Sequence, residues 1–143
     1  MNRFITTVTS IFLSIFLISC GANTNTEKTI KKDSIECMQA SDFIVNYGKN
    51  HAEYDKKYLD EAVTVQGEVV VSESMDEDGF KVEIKGNGED ETVNCIFDKT
   101  ALSKEKLPKI GDIVVIKGKC TGYMEEDMIG LKTITMVQCL IIQ

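Results

Sequence analysis

Five cysteines (Cys20, Cys37, Cys95, Cys120 and Cys139) and one histidine, His51, carry most of the nucleophilic and metal-binding potential of this 143-residue chain. Zinc sites draw on Cys and His ligands held at short spacings such as C-x-x-C. No such spacing occurs, and His51 stands far from every cysteine, so no metal site and no cofactor are expected. Covalent catalysis needs a nucleophile with a neighbouring base and an orienting group, and phosphate chemistry needs a glycine loop between strand and helix. Neither pattern can be read here. No catalytic residue is assigned, and the chain reads as a binding or accessory module, with an uncharacterised envelope enzyme as the weaker alternative.

The remaining role for a cysteine is covalent attachment. Arg3 precedes an uncharged, mostly apolar stretch, residues 5–18, too short to favour a membrane span, and the segment ends Leu17-Ile18-Ser19-Cys20. The tetrapeptide resembles a bacterial lipobox. That resemblance implies cleavage before Cys20, lipidation of its thiol, and two or three acyl chains, enough for stable anchoring. The chain then divides into a signal peptide (1–19), a lipidated tether (20–36) rich in polar residues, and a domain (37–143). Gly21 follows the lipidated residue where aspartate, by analogy with enteric bacteria, would favour inner-membrane retention. An exported protein at the outer membrane, facing the periplasm, is therefore expected.

The net charge is −7, and removal of residues 1–19 leaves 15 bases against 23 acids, or −8. Such a surface repels nucleic acid and anionic headgroups. Acids collect in three turns: Asp76, Glu77 and Asp78; Glu89, Asp90 and Glu91; Glu125, Glu126 and Asp127. They read as solvated turn residues, with a basic partner or loosely held divalent cations as the functional alternative.

These groups need a scaffold. Ala40, Phe43, Tyr47, His51, Tyr54 and Tyr58 recur at three- and four-residue steps, which predicts an amphipathic helix over 41–59 with Ser41 as cap and a weak point at Gly48 and Asn50. From Ala62 the period changes to two. Val63, Val65, Gly67, Val69 and Val71 form a first inward set, then Phe80, Val82 and Ile84, then Val93, Cys95 and Phe97. Asp78-Gly79 and Asn87-Gly88 are hairpin dipeptides between them. A short helix is expected over 98–106, a fourth strand over 112–121 with Gly118 at its bend, a loop through Glu125 to Asp127, and a fifth strand over 134–142.

Val-x-Val-x-Gly-x-Val at 63–69, Val93-x-Cys95-x-Phe97, the Gly111–Gly122 stretch G-D-x-V-x-I-x-G-x-C-x-G and Cys139 in the last strand together resemble the tRNA-anticodon-binding-like OB family. Many members are small exported lipoproteins. The resemblance implies a β-dominated (α+β) fold: a five-stranded Greek-key OB barrel with a leading helix and a short helix between strands three and four. It does not imply tRNA binding, because fold alone does not fix function.

In an OB barrel strand five lies beside strand four, which makes Cys120–Cys139 the first candidate disulfide. Strand three also borders strand five, so Cys95–Cys139 competes, and Cys95 as a buried free thiol is the plain alternative. OB-folds commonly bind across strands two and three. The outward residues there are Lys81, Glu83, Lys85, Asn94 and Ile96, a candidate ligand face without an aromatic for base stacking. The expected partners are the membrane, through the lipid, and an envelope protein or small ligand. Single-stranded nucleic acid is the alternative, disfavoured by charge.

Overall fold

The computed structural model describes residues 36–76 and 79–142. The signal peptide, Cys20 and all of the tether but Glu36 lie outside the described residues, as do Glu77 and Asp78 of the first acidic turn. A short strand β1 (Cys37–Gln39) leads into helices α1 (Ala40–Lys49) and α2 (His51–Tyr58). Strands β2 (Ala62–Met75), β3 (Gly79–Lys85), β4 (Glu91–Phe97), β5 (Ile113–Glu126) and β6 (Leu131–Ile141) follow.

The valine-rich strand β2 changes partner along its length within one sheet. Its first half, Ala62 to Glu68, runs antiparallel to β5, and its second half, Val69 to Met75, runs antiparallel to β3. A bulge between Val69 and Val71 marks the changeover. Strand β3 pairs with β4, β4 pairs in parallel with β6, and β6 returns to β5. The order β2-β3-β4-β6-β5 therefore closes through the β2–β5 pairing into the five-stranded OB barrel expected from the sequence. Strand β1 adds in parallel to β2 at Thr64 to Gln66. With neighbours on both edges, Thr64 is buried although it alternates outward.

The inward set is as the two-residue period requires: Val63, Val65, Val69, Phe80, Val82, Ile84, Val93, Cys95 and Phe97 are all buried. Val71, beyond the bulge, is only half-buried. Helix α1 packs against all five barrel strands and buries Ala40, Phe43, Ile44 and Tyr47. Gly67 lets it approach, since a Cβ there would collide with Ile84 and lie 3.3 Å from the Ala40 Cβ.

The predicted single helix is two. Asn50, at φ −134° and ψ 50°, ends α1 and begins α2, at the weak point the sequence marks. Ser41 is not the cap: the helix starts at Ala40, one residue earlier, and Gln39 takes the N-cap position without a side-chain bond. Between β4 and β5 the expected helix shrinks to a turn on the Asp98 carbonyl and one 3-10 turn, Lys104–Lys106. α1 already supplies the packed helix. The acids Glu125 and Glu126 belong to β5 itself, so the long loop is a long hairpin turning tightly at Gly130, φ 73°.

Candidate functional site

The pleat of β3 and β4 brings the five predicted face residues together. Lys81 lies opposite Ile96 and Glu83 opposite Asn94, with Lys85 opposite Thr92. Lys81 is not free to meet an anion. Its Nζ is 2.7 Å from Glu73 Oε1 and 3.1 Å from Glu83 Oε1. These bonds, to Glu73 first and then Glu83, hold the Lys81 ammonium above the ordinary lysine range. Asn94 keeps a buried side-chain carbonyl oxygen with no hydrogen-bond partner. Buried acceptors are seldom left unsatisfied, so among the described residues this oxygen is the face's one buried side-chain group without a partner. Lys85 is exposed at the strand's end.

The acidic turns are used locally. Glu91 Oε2 accepts from the backbone N–H groups of Asn87 (3.1 Å) and Gly88 (3.2 Å), and Glu91 Oε1 lies 3.7 Å from Lys132. Glu125 accepts from the Tyr123 hydroxyl at 2.8 Å and also reaches Lys132. Among the described residues no three His, Cys, Asp or Glu side chains converge as a metal site.

The aromatic stripe read from the sequence forms a cluster where the helices meet β5, completed by Tyr123, which the sequence pattern missed. Tyr123 stacks on Tyr47, with centroids 5.4 Å apart and planes 12° apart, and the His51 ring meets Tyr123 edge-on at 5.6 Å. Phe43, Tyr54 and Tyr58 continue the group behind it. The Tyr47 hydroxyl donates to Asp55 Oδ1 at 2.7 Å, and His51 Nε2 lies 3.7 Å from Asp55 Oδ2. Burial, reinforced by Asp55, holds the Tyr47 phenol well above the usual tyrosine range. Burial and then Glu125 do the same to Tyr123. Gly48 was the available signal: a Cβ there would come within 2.8 Å of the Tyr123 oxygen, so a helix-weakening residue marks where a ring lies down. Beside Tyr123 opens a groove of about 200 Å³, walled by Ile44 and Val45 and rimmed by Lys49, Glu125 and Lys132.

The four cysteines among the described residues, Cys37, Cys95, Cys120 and Cys139, are thiols in this structure. Register does not rank Cys120–Cys139 against Cys95–Cys139, since Cys95 on β4 and Cys120 on β5 both lie opposite Met136. Cys120 lies opposite Met136, and its thiol sits beside the Tyr47 hydroxyl. Burial pushes that thiol up, away from the reactive thiolate. Cys139 follows an extra residue, Gln138 at φ 53°, and turns inward, where its sulfur fills the space beside Gly118.

A closed barrel of this strand order, with a partly polar wall and a helix-capped end, defines an OB-fold module. The chain belongs to the tRNA_anti-like family, whose model matches residues 1–135. No curated protein matches it. A crystal structure from Klebsiella pneumoniae subsp. pneumoniae MGH 78578, provisionally described as a nucleic acid-binding lipoprotein, superposes with a TM-score of 0.61 at 17% identity. The alignment covers 78% of this chain and 94% of that one, a likeness of fold. A protein from Leishmania major Friedlin, provisionally described as an aspartyl-tRNA synthetase, matches with a TM-score of 0.42 at 10% identity. That match covers 82% of this chain and 22% of the other.

Proposed function

We propose that the protein is an exported lipoprotein, anchored through Cys20 at the outer membrane and facing the periplasm. Its OB barrel is a non-catalytic binding module for an envelope protein or small polar ligand. The face of β3 and β4 is the docking surface. The observation that carries this assignment is the neutralisation of Lys81 by Glu73 and Glu83. Non-specific nucleic-acid affinity comes mainly from cations that neutralise phosphates, and the central cation of this face is already paired. The face also offers no ring for a base, and Tyr123 is occupied by Tyr47 and Glu125. What the face does offer is half-buried Ile96 and the unpartnered Asn94 oxygen, which suit a neutral hydrogen-bonding partner.

Nucleic acid is the second reading, favoured by the description of the Klebsiella structure. Titration of the full-length protein in detergent with labelled single-stranded RNA and DNA at low salt separates the two. Sub-micromolar binding that weakens with salt would replace the first reading with the second. In cells, a photo-crosslinking residue in place of Ile96 should give a discrete adduct, and one in place of Lys104 should not. Equal labelling at both positions would refute the face. Fatty-acid labelling that vanishes in Cys20→Ala tests the anchor, and unlabelled, soluble wild-type protein would refute it.

A further inference from the structure

The outer face of β5 and the end of β6 carry apolar side chains that nothing in the barrel covers. Val114, Ile116 and Gly118 fill the core, so Ile113, Val115 and Lys117 point outward. On β6, Leu140 lies opposite Lys117, and the Ile142 N–H donates to the Val115 carbonyl oxygen at 2.8 Å. Ile113, Leu140 and Ile142 are 62%, 52% and 48% exposed, and Val115 is half-buried. Apolar side chains exposed singly are ordinary, but neighbouring ones mark an interaction surface. The helical segment meets β5 further along, where Asp60 bonds to Cys120 and Tyr47 stacks on Tyr123. Charges at the face balance. Glu68 lies opposite Ile113, Asp112 Oδ2 accepts from the Lys109 N–H at 2.8 Å, and Asp60 is 2.8 Å from Lys119. Lys109, Lys117 and Lys119 offset these three acids, which leaves a neutral side on a strongly acidic molecule.

Strand β1 belongs to the same sheet. Cys37 pairs with Thr64 and Thr64 with Lys117, so β1, β2, β5 and β6 lie side by side across this face. Three strand spacings, about 15 Å, separate β1 from β6. Residues 21–36 join Cys20 to Cys37, and a chain of that length reaches about 55 Å at most. The anchor position therefore lies within easy reach of the face. We propose, resting on the lipoprotein reading of Cys20, that this face lies on the bilayer. Ile113, Val115, Leu140 and Ile142 seat at the boundary of headgroups and acyl chains, with the Lys117 ammonium at the level of the lipid phosphates. A zwitterionic surface suits a neutral face, which gains from apolar burial without the repulsion that the acidic remainder would meet. The acyl chains hold the protein and the face sets its orientation. Strands β3 and β4 are the two barrel strands that do not pair with β5, so the docked barrel turns their outer face away from the bilayer.

The chain has no tryptophan, so Leu140→Trp and Ile113→Trp each place a single emitter on the face. Both positions are exposed, and neither change fills a core space. Each variant is purified as the full acylated protein and reconstituted in phosphatidylethanolamine–phosphatidylcholine vesicles, with and without brominated acyl chains. Bromine should lower emission at both positions by roughly two-fold or more, as contact with the acyl boundary requires. Met128→Trp, at the acidic hairpin tip where the native side chain is 93% exposed, should stay unquenched. Equal quenching at all three positions, or none at 113 and 140, would overturn the proposal. Emission at 113 and 140 that is blue-shifted but unquenched would place a protein surface there, such as a second copy of this chain, and would overturn it as well. Intact mass of the same samples reports the acyl chains separately. Their absence refutes the reading of Cys20, whereas missing quenching in acylated protein refutes the face alone.

Discussion

The packing around Gly118 makes a quantitative demand on the fold. An added Cβ would lie 2.6 Å from Cys139 Sγ, 3.1 Å from Met136 Cε and 3.1 Å from the Val137 carbonyl oxygen. The methionine end can move and the sulfur can rotate, but the carbonyl belongs to the β5–β6 pairing and cannot retreat without disturbing it. Overpacking of this kind costs about 1–3 kcal/mol. Gly118 has no positive φ, so alanine also recovers about 0.4–1 kcal/mol by restricting the unfolded chain. Gly118→Ala should therefore destabilise by about 1–2 kcal/mol, which at ordinary slopes lowers the urea midpoint by about 1 M. Gly118→Val should cost more.

The cause can be isolated by a double-mutant cycle under reducing conditions, where no cross-link contributes. Cys139→Ala removes the nearest obstacle, so Gly118→Ala made in that background should cost about 1 kcal/mol less than in the wild type, within the range for residues in contact. The rescue is partial because the Val137 oxygen remains. An unchanged midpoint in Gly118→Ala, or strict additivity in the double variant, would refute the packing described at this crossing of β5 and β6.

Four other outcomes follow from the aromatic cluster and the bulge. Tyr47→Phe removes the bond to Asp55 and should cost about 1 kcal/mol, measured by denaturant unfolding, since Asp55 can regain water. Tyr47 and Tyr123 hold their protons above the usual tyrosine range. The folded state thus binds more protons than the unfolded one once pH passes about 10, and stability falls as pH rises from there. Tyrosinate absorbance should lag that of the chain in guanidinium, and superposable titrations would refute the burial. Gly48→Ala would gain about 1 kcal/mol of helix propensity but displaces the Tyr123 ring, so it should stabilise clearly only in a Tyr123→Ala background, as thermal melts can show. Gln138→Gly should stabilise by about 0.5–1 kcal/mol by relieving a left-handed non-glycine residue, and a loss in urea melts would contradict the bulge.

What the sequence made legible is what local periodicity controls. Val63, Val65, Phe80, Val82, Ile84, Val93 and Phe97 alternate without interruption, and each is buried. The face opposite them, Lys81 to Ile96, followed from the same alternation. Ion pairing of Lys81 did not, because Glu73 reaches it from β2 across a register set by the bulge between Val69 and Val71. Tyr123 escaped for a related reason. It lies beyond the predicted end of the fourth strand, and only the hairpin's added length carries it back onto α1.

The misplaced cysteine is the sharpest case, because its signal was present. A strand that kept strict alternation from Ile134 and Met136 would turn Gln138 inward and Cys139 outward. Instead the buried set runs Ile134, Met136, Cys139, with Ile141 half-buried after it, while Gln138, Leu140 and Ile142 are exposed. The apolar positions step from even to odd across Val137-Gln138, and one extra residue is what a bulge inserts. Gln138 in the left-handed region is where the structure puts it. The change of parity restores the inward face and puts the Cys139 sulfur in the core, in the space that Gly118 leaves on β5. Strand adjacency named Cys95 and Cys120 as partners for Cys139, and both lie opposite Met136, so the inserted residue moves Cys139 past both alike.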